Sequence, residues 1–268
     1  MQRKHIIKIV LNIVEKALCR LTNNAIIYVR QWSGGYMYEA LMTEEMKPWR
    51  DLLLVHKFAV EEIKTKLEIL DEEFRNIHDY NPIEHIRYRV KKPNSITEKL
   101  DRLGFEPTIE NARKHISDIA GIRIICSFTT DIYRVVDLLE KQDDIKVVLI
   151  KDYIKSPKPN GYKSLHMHID IPVYLSSGVV PTRIEIQIRT IAMDFWASLE
   201  HKIYYKFRNK APSNITEQLK VCANMISILD ERMLDIKNEI GSLNLDDETL
   251  TKDVISEIEL ADKVEIVD

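Results

Sequence analysis

The stretch TRIEIQIRT, residues 182–190, alternates polar and apolar residues with a period of two. Successive side chains of a β-strand point to opposite faces, so this pattern predicts a strand with one apolar and one polar face. The polar face carries Arg183, Glu185, Gln187 and Arg189. Such a face commonly contacts water in an antiparallel sheet, but a carboxylate, an amide and two guanidinium groups also suit the floor of a binding site.

Two other segments place polar residues between apolar ones in the same way. The segment KSLHMHIDI alternates, and in GIRIICSF a single Arg123 separates Ile122 from Ile124. If these strands are neighbours, one surface is shared by Glu185, Gln187, His166 and Arg123. Residues on one face of a strand are about 7 Å apart, which is the scale of a nucleotide.

The H-x-H pair of His166 and His168 has a spacing that also suits zinc ligands on one strand face. A zinc site needs at least a third ligand, and only Asp170 is near in sequence. Hydrogen-bonded or solvated histidines are therefore favoured over zinc.

The hydrophobic periodicity predicts an α+β fold. Strands are expected over 121–128, 145–153, 163–173 and 182–190, with a helix over 131–142. Helical patterns cover 43–80, 191–205 and 213–240, so helices flank the sheet at both ends. Ser95 and Glu98 form a capping box that is expected to start a short helix, and Gly104 is expected to end it.

Composition divides the chain into three parts. Residues 1–41 carry six Lys and Arg against two Glu and are expected to be an extension, disordered or non-native, although a basic amphipathic helix has the same composition. Residues 42–240 form the predicted domain. Residues 241–268 carry nine acidic residues against two lysines and are expected to be a solvated, partly disordered acidic tail.

Several classes of protein are disfavoured by the totals. A net charge of −3 argues against a dedicated DNA-binding protein. The three cysteines have no C-x-x-C spacing, which argues against a disulfide framework and a structural zinc site and favours a reducing cytoplasm. No uncharged apolar run reaches the length of a transmembrane helix, so no membrane partner is expected.

Two carboxylates are candidate metal ligands. Asp118 precedes a strand at a helix-to-strand junction, and Glu185 lies on the polar strand face. Caps and solvated faces are the ordinary roles of such residues, but together the two could hold Mg²⁺ while phosphate oxygens complete its coordination.

No glycine-rich phosphate loop is present, so side chains would have to bind phosphates. Six cations lie close together in sequence, namely Arg87, Arg89, Lys91, Lys92, Lys99 and Arg102. A basic solvated surface is the ordinary interpretation of such a run, and phosphate binding is the alternative. Tyr162, near Lys158 and Lys163, can stack on a base.

Four segments together resemble the synthetase domain of the RelA/SpoT family, and most closely its small alarmone synthetases. They are RVKKPNSITEKLDR, DIAGIRI, KDYIKSPKPNGYKSLH and EIQIRTIAMDFWASLEHKIYYK, within about residues 80–207. The resemblance implies a nucleotidyltransferase-like fold with a mixed β-sheet. It also implies Mg²⁺-dependent transfer of the β,γ-pyrophosphoryl group of ATP to the 3′-hydroxyl of GDP or GTP, which gives the stringent-response alarmone ppGpp or pppGpp.

The same resemblance implies a role for each matching residue. Asp118 and Glu185 would bind the magnesium ion, and Glu185 would also be the base. Arg89 and Arg123 would sandwich adenine. The phosphate-contacting cations would be Lys91, Lys99, Arg102, Lys151 and Lys158, of which the first three belong to ATP and the last two to GDP or GTP. Tyr162 would stack on guanine, and His166 and Gln187 would contact the acceptor.

The resemblance also carries expectations about assembly and activity. A homotetramer is expected, with an alarmone effector between subunits, and the apolar residues of 215–236 suit either a subunit contact or packing within the domain. Synthesis without hydrolysis is expected, because too little chain precedes His78 and Asp79 for the hydrolase domain of long family members. Leu149 replaces an Arg of the long members, which leaves the GDP or GTP preference open.

Two alternatives remain. One is an RNA-binding module that grips single-stranded RNA through residues 87–102 and Tyr162 and needs neither carboxylate. The other is a different nucleotidyltransferase that attaches AMP to its substrate.

Overall fold

A computed structural model describes residues 47–78, 80–206 and 213–262, the side chains of 204–206, 213 and 243–262 excepted. The predicted extension over 1–41 lies outside the described residues. The helices are α1 Lys47–Ile77, α2 Pro93–Leu103, α3 Ile109–His115, α4 Thr129–Glu140, α5 Ile191–Lys206 and α6 Ser213–Asp262. The strands are β1 Ile83–Val90, β2 Ala120–Cys126, β3 Lys146–Asp152, β4 Leu165–Leu175 and β5 Gly178–Thr190.

The five strands form one mixed sheet in the order β1-β2-β5-β4-β3. The pair β2 and β5 is parallel, and the other three pairs are antiparallel. This architecture confirms the predicted α+β fold. From Asp51 onward the described residues form one compact unit.

Strand β1 was not among the predicted strands. It is an edge strand whose residues are mostly exposed or half-buried, and only Ile83 is buried. An edge strand pairs on one side only and needs no continuous apolar face. Because Arg87 and Arg89 interrupt the apolar residues, the sequence pattern of this segment indicates a solvated basic turn rather than a strand.

The apolar side of the sheet carries the core. Alternate residues of β2, β4 and β5 are buried there together with Ile63 and Leu67 of α1 and Ile132 and Leu139 of α4. Burial of each such side chain contributes about 1.5–3 kcal/mol. Because helices cover this side, the polar residues of the same strands are left on the opposite side.

The start of α2 differs from the sequence prediction, whereas its end agrees with it. The capping box was wrong, because α2 begins at Pro93 after Lys92, which makes no side-chain capping bond. Proline suits the first turn of a helix, where its missing N–H has no intrahelical partner. The predicted end at Gly104 is confirmed, with a left-handed φ of 79° that glycine adopts without strain.

Helix α6 packs on α5 and is longer than predicted. Trp196 of α5 is buried with Leu219 and Ala223 of α6, and its Nε1 donates to the Leu219 carbonyl at 2.9 Å. The helix continues past Ile240 to Asp262, so the predicted end was too early and most of the acidic tail is helical. Among the described helices, none has an apolar stretch long enough to cross a membrane.

Candidate active site

The strand register brings the predicted polar residues onto one face. Glu185 of β5 lies opposite Gly121 of β2 and His168 of β4. Two residues further along β5, on the same face, Gln187 lies opposite Arg123 of β2 and His166 of β4. The shared surface predicted from the alternating pattern is therefore confirmed.

A cavity of about 440 Å³ opens on this face. Its lining includes eight residues singled out in the sequence: Lys99, Asp118, Lys151, Lys158, Tyr162, His166, Glu185 and Gln187. Side chains from α2, β3, β4, β5 and the 153–164 connection meet there. The cavity is thus built by residues that are distant in the chain.

Glu185 belongs to a closed ring of hydrogen bonds. Its Oε1 accepts from His166 Nδ1 at 3.1 Å, and its Oε2 accepts from Gln187 Nε2 at 2.8 Å. Arg189 Nη2 donates to Gln187 Oε1 at 3.0 Å and to the Tyr162 hydroxyl at 2.6 Å. The Tyr162 hydroxyl lies 2.8 Å from His166 Nε2 and closes the ring.

This ring keeps Glu185 ionised. The carboxylate is buried, with 8% of the residue exposed, and burial by itself disfavours its charge. Hydrogen bonds from His166 and Gln187 and the charge of His166 outweigh burial and lower the pKa of Glu185 to about 2. At neutral pH the group is a carboxylate.

Asp118 is held by two lysines. It lies just before β2 and forms ion pairs with Lys91 and with Lys99, the latter at 2.8 Å. Burial opposes the charge of Asp118, but these two partners lower its pKa below the usual value. The pKa of Lys91 is also lowered, because burial of the ammonium outweighs its pairing with Asp118. The surroundings therefore favour the charged form of Asp118, whereas they disfavour the charged form of Lys91.

Arg89 and Arg123 occupy one face of the neighbouring strands β1 and β2. Arg123 pairs with Arg87, and Arg89 pairs with Gly121. The two guanidinium-bearing residues are thus diagonal neighbours, about 7–8 Å apart between Cα atoms. Gly121 leaves room for Arg89, since a Cβ there would lie 3.2 Å from Arg89 Nε.

The 153–164 connection presents aromatic rings to the cavity. The Lys158 ammonium lies 4.7 Å from the ring centres of both Tyr153 and Tyr162. Gly161 has a φ of 89°, and a Cβ there would lie 2.6 Å from Ala223 of α6. Only glycine therefore allows this turn to pack so closely against α6.

Asp118 and Glu185 are the residues that could hold a magnesium ion. The described residues contain no group of three or more His, Cys, Asp and Glu that could hold a metal. His168 Nδ1 is buried without a hydrogen-bond partner in the described part of the chain, and burial lowers the pKa of this histidine. Magnesium is commonly held by only one or two protein carboxylates, with water and substrate phosphates as its other ligands.

Four predicted site residues do not line the cavity. Lys91 contacts Asp118 from one side, and Arg123 is half-buried beside Asp194. Arg89 is exposed on β1, and Arg102 is exposed in the last turn of α2. The cations predicted to bind ATP are therefore more dispersed than the residues around Glu185.

Arg189 and Asp194 were not predicted as site residues. Arg189 is 4% exposed and bonds to both Tyr162 and Gln187. Its place in the alternating pattern was a signal, since it lies on the same strand face as Glu185. Asp194 lies beyond the strand, and nothing in its sequence position shows that it contacts two arginines.

Three comparisons show which known proteins this chain is similar to. Residues 88–210 match the family described as a region found in RelA / SpoT proteins. The GTP pyrophosphokinase YwaC of Bacillus subtilis (strain 168) is 53% identical over 195 residues, which are 73% of this chain and 93% of that protein.

Solved structures give the same result. Small alarmone synthetase 2 from Bacillus subtilis is 52% identical, with a TM-score of 0.65 over 71% of this chain and 98% of that chain. Small alarmone synthetase 1 from Bacillus subtilis, bound to its product pppGpp, is 37% identical, with a TM-score of 0.68 over 72% of this chain and 98% of that chain. The chain belongs to the RelA/SpoT family, and within it to the small alarmone synthetases.

Proposed function

We propose that this chain transfers the β,γ-pyrophosphoryl group of ATP to the 3′-hydroxyl of GDP or GTP, giving AMP and ppGpp or pppGpp. The observation that carries this proposal is that two ionised carboxylates, Asp118 and Glu185, line one cavity with the aromatic and cationic groups expected for a guanine nucleotide. The 53% identical relative is a GTP pyrophosphokinase, and a solved neighbour holds pppGpp as its product.

Asp118 and Glu185 are the residues that would hold Mg²⁺. Both are ionised at neutral pH, as metal ligands must be, and both face the same cavity. When bound, the ion supplies positive charge that neutralises phosphate oxygens. Lys91 and Lys99, which pair with Asp118, are cations that would contact the phosphates.

In the reaction, the 3′-oxygen attacks the β-phosphorus, the bond from the α,β-bridging oxygen to the β-phosphorus breaks, and AMP leaves. The hydroxyl proton must go to a base, and Glu185 is the proposed acceptor. With a pKa of about 2 it is a weak base while both His166 and Gln187 donate to it. Loss of the contact with charged His166 when the acceptor binds would raise the pKa of Glu185 and strengthen the base.

The donor nucleotide would bind along β1, β2 and α2. Arg89 and Arg123 are diagonal neighbours on one sheet face, so their planar guanidinium groups could stack on the two sides of one adenine ring. Lys91, Lys99 and Arg102 would contact the triphosphate. These contacts suit phosphoryl transfer, in which positioning and charge stabilisation supply most of the catalysis.

The acceptor nucleotide would bind along β3, β4, β5 and the 153–164 connection. Tyr162 would stack on guanine, and Lys151 and Lys158 would contact its phosphates. His166 and Gln187 would place the ribose, because both already bond to the Glu185 carboxylate. Binding would require the Lys158 ammonium to leave the face of Tyr162 that it now covers.

Incubation of the purified protein with ATP, GDP or GTP and Mg²⁺, followed by separation of nucleotides, tests this function. AMP and a guanosine tetra- or pentaphosphate should form together. Release of pyrophosphate would instead indicate another nucleotidyltransferase. Binding of single-stranded RNA that weakens steeply with salt and persists in Asp118→Ala would indicate an RNA-binding role. Manganese-dependent release of pyrophosphate from ppGpp would refute synthesis without hydrolysis.

A cytoplasmic homotetramer with an alarmone effector between subunits is part of the same proposal. The predicted apolar stripe of α6 divides into two sides. Leu219 is buried against α5, whereas Met225, Leu229 and Met233 are exposed, Met225 by 62%. The exposed side supports a contact with another subunit. Light scattering should give a tetramer mass, and Met225→Glu together with Leu229→Glu should lower it.

A further inference from the structure

Asp194 lies between an arginine of the proposed donor half, Arg123, and an arginine beside the acceptor half, Arg189. It is in the first turn of α5, directly after β5, and is 9% exposed. Its Oδ1 accepts a hydrogen bond from Arg189 Nη1 at 3.1 Å and forms an ion pair with Arg123 Nη1 at 3.2 Å. One carboxylate oxygen therefore holds two guanidinium groups that would otherwise repel each other.

The two arginines belong to different halves of the proposed site. Arg123 lies on β2 beside the edge strand and is expected to stack on the donor base. Arg189 lies on β5 and bonds to Tyr162 and Gln187, which are members of the ring around Glu185. The shared oxygen of Asp194 is a short physical link between them.

We infer that Asp194 is a positioning residue that couples occupancy of the donor half to order in the acceptor half. The inference rests on the proposed function. A base stacked on Arg123 fixes its guanidinium, which fixes the shared carboxylate and, through it, Arg189 and Tyr162. The second nucleotide then binds a partner that is already ordered and loses less conformational entropy on binding.

The state of Arg123 supports this coupling. Its Nε is buried and has no hydrogen-bond partner among the described residues, and about 30% of its side chain is exposed. The guanidinium is thus anchored at one nitrogen and free to adjust elsewhere. Arg189, in contrast, is 4% exposed and bonded to Ser164, Gln187, Tyr162 and Asp194. Arg123 is therefore the less restrained of the two arginines, and a base stacked on it is expected to reduce the remaining motion of Asp194 and of the side chains bonded to Asp194.

The test is calorimetric binding of GDP with and without a saturating ATP analogue that has a methylene bridge between its α- and β-phosphates, in Mg²⁺. In the wild type the analogue should lower the Kd for GDP by at least ~5-fold, the lower end of ordinary coupling. In Asp194→Ala the ratio of the two Kd values should approach one. Asp194→Asn, which keeps an accepting oxygen without the charge, should be intermediate.

The ratio of the Kd values for GDP without and with the analogue separates a positioning role from a general loss of affinity. A substitution that weakens GDP binding equally in both conditions leaves this ratio unchanged. Asp230→Asn is the matched control, since Asp230 accepts from Thr190 next to Arg189 at 2.7 Å. It should keep the wild-type ratio. The inference is overturned if Asp194→Ala keeps that ratio or if Asp230→Asn loses it equally. If thermal melting shows that Asp194→Ala does not fold, Asp194→Asn decides by the same criterion.

The result also separates the inference from the proposed function. A wild type that binds neither nucleotide contradicts both. A wild type that binds each nucleotide alone with a Kd ratio near one contradicts only the coupling.

Discussion

The two halves of the polar sheet face differ in how their side chains are held. Around the acceptor half, Tyr162, His166, Glu185, Gln187 and Arg189 bond to one another in a ring. On the donor half, Arg89 and Arg102 are exposed, and two lysines bond to Asp118. The ring around Glu185 is therefore in place before binding, although Lys158 must still leave Tyr162. On the donor half, both lysines that hold Asp118 must exchange partners when a triphosphate binds.

Strand position explains the difference. Strands β4 and β5 have neighbours on both sides, so their polar side chains meet partners across two strand pairs. Strand β1 is at the sheet edge and has one neighbour. Side chains ordered before binding cost less entropy on binding, so the two halves should respond differently to substitution.

The largest effect is expected at the two carboxylates, one in each half of the site. Asp118→Ala and Glu185→Ala should each lower kcat/KM by about 10³-fold or more, because each removes a proposed metal ligand. Asp170→Asn is a matched control, since Asp170 pairs with Arg183 on the same sheet face but does not line the cavity. Initial rates of AMP formation measure the effect, and a loss of less than ten-fold in either alanine variant would contradict the metal role.

Acid should destabilise the protein through the acceptor half. The pKa of Glu185 is about 2 in the folded protein, below its ordinary value of 4.5, so its contacts stabilise the fold above pH 4.5. This contribution, ~3 kcal/mol, should be lost as the pH falls from about 4.5 to 2. Urea unfolding at several pH values should show a weaker acid dependence in Glu185→Gln than in the wild type. Equal dependence would contradict the ring as the cause.

Two variants of Tyr162 separate stacking from the hydrogen-bond ring. Tyr162→Ala should raise KM for the acceptor by roughly 5- to 100-fold, since base stacking on an aromatic ring contributes ~1–3 kcal/mol. Tyr162→Phe keeps the ring face but loses the bonds to His166 and Arg189. It should lower kcat by about ten-fold and leave KM nearly unchanged. If the two variants change KM for ATP by different factors, the donor and acceptor halves are less separate than the contacts indicate.

The smallest effect is expected on the donor edge. Arg89→Ala should raise KM for ATP by about 3- to 10-fold, since an exposed guanidinium gains only ~1 kcal/mol from stacking. Arg89→Lys should not restore it, because an ammonium has no planar face. Gly121→Ala is a milder probe, since its Cβ would displace Arg89 slightly. A kcat loss without a change in KM would place Arg89 in the chemical step instead.

The sequence predicted the sheet faces and most of the cavity well. The alternation in TRIEIQIRT put Glu185 and Gln187 opposite the core, and the structure confirms this. Eight of the twelve predicted site residues line the cavity, since the family motifs fix their order along the strands. Strand β1, the start of α2 at Pro93 and the length of α6 were missed, because edge pairing and helix ends depend on weak local signals.

By itself, the sequence determined which side chains share a strand face, where Gly104 ends a helix, and which family the chain resembles. The first two are properties of one segment at a time, set by the two-residue period of a strand and by backbone sterics, and the third rests on four segments in a fixed order. Only the tertiary structure decided that Asp118 is held by two lysines, that five side chains form a ring, and that Asp194 joins two arginines. Those contacts depend on strand register and on the helix that follows β5, which bring together residues that no local pattern relates.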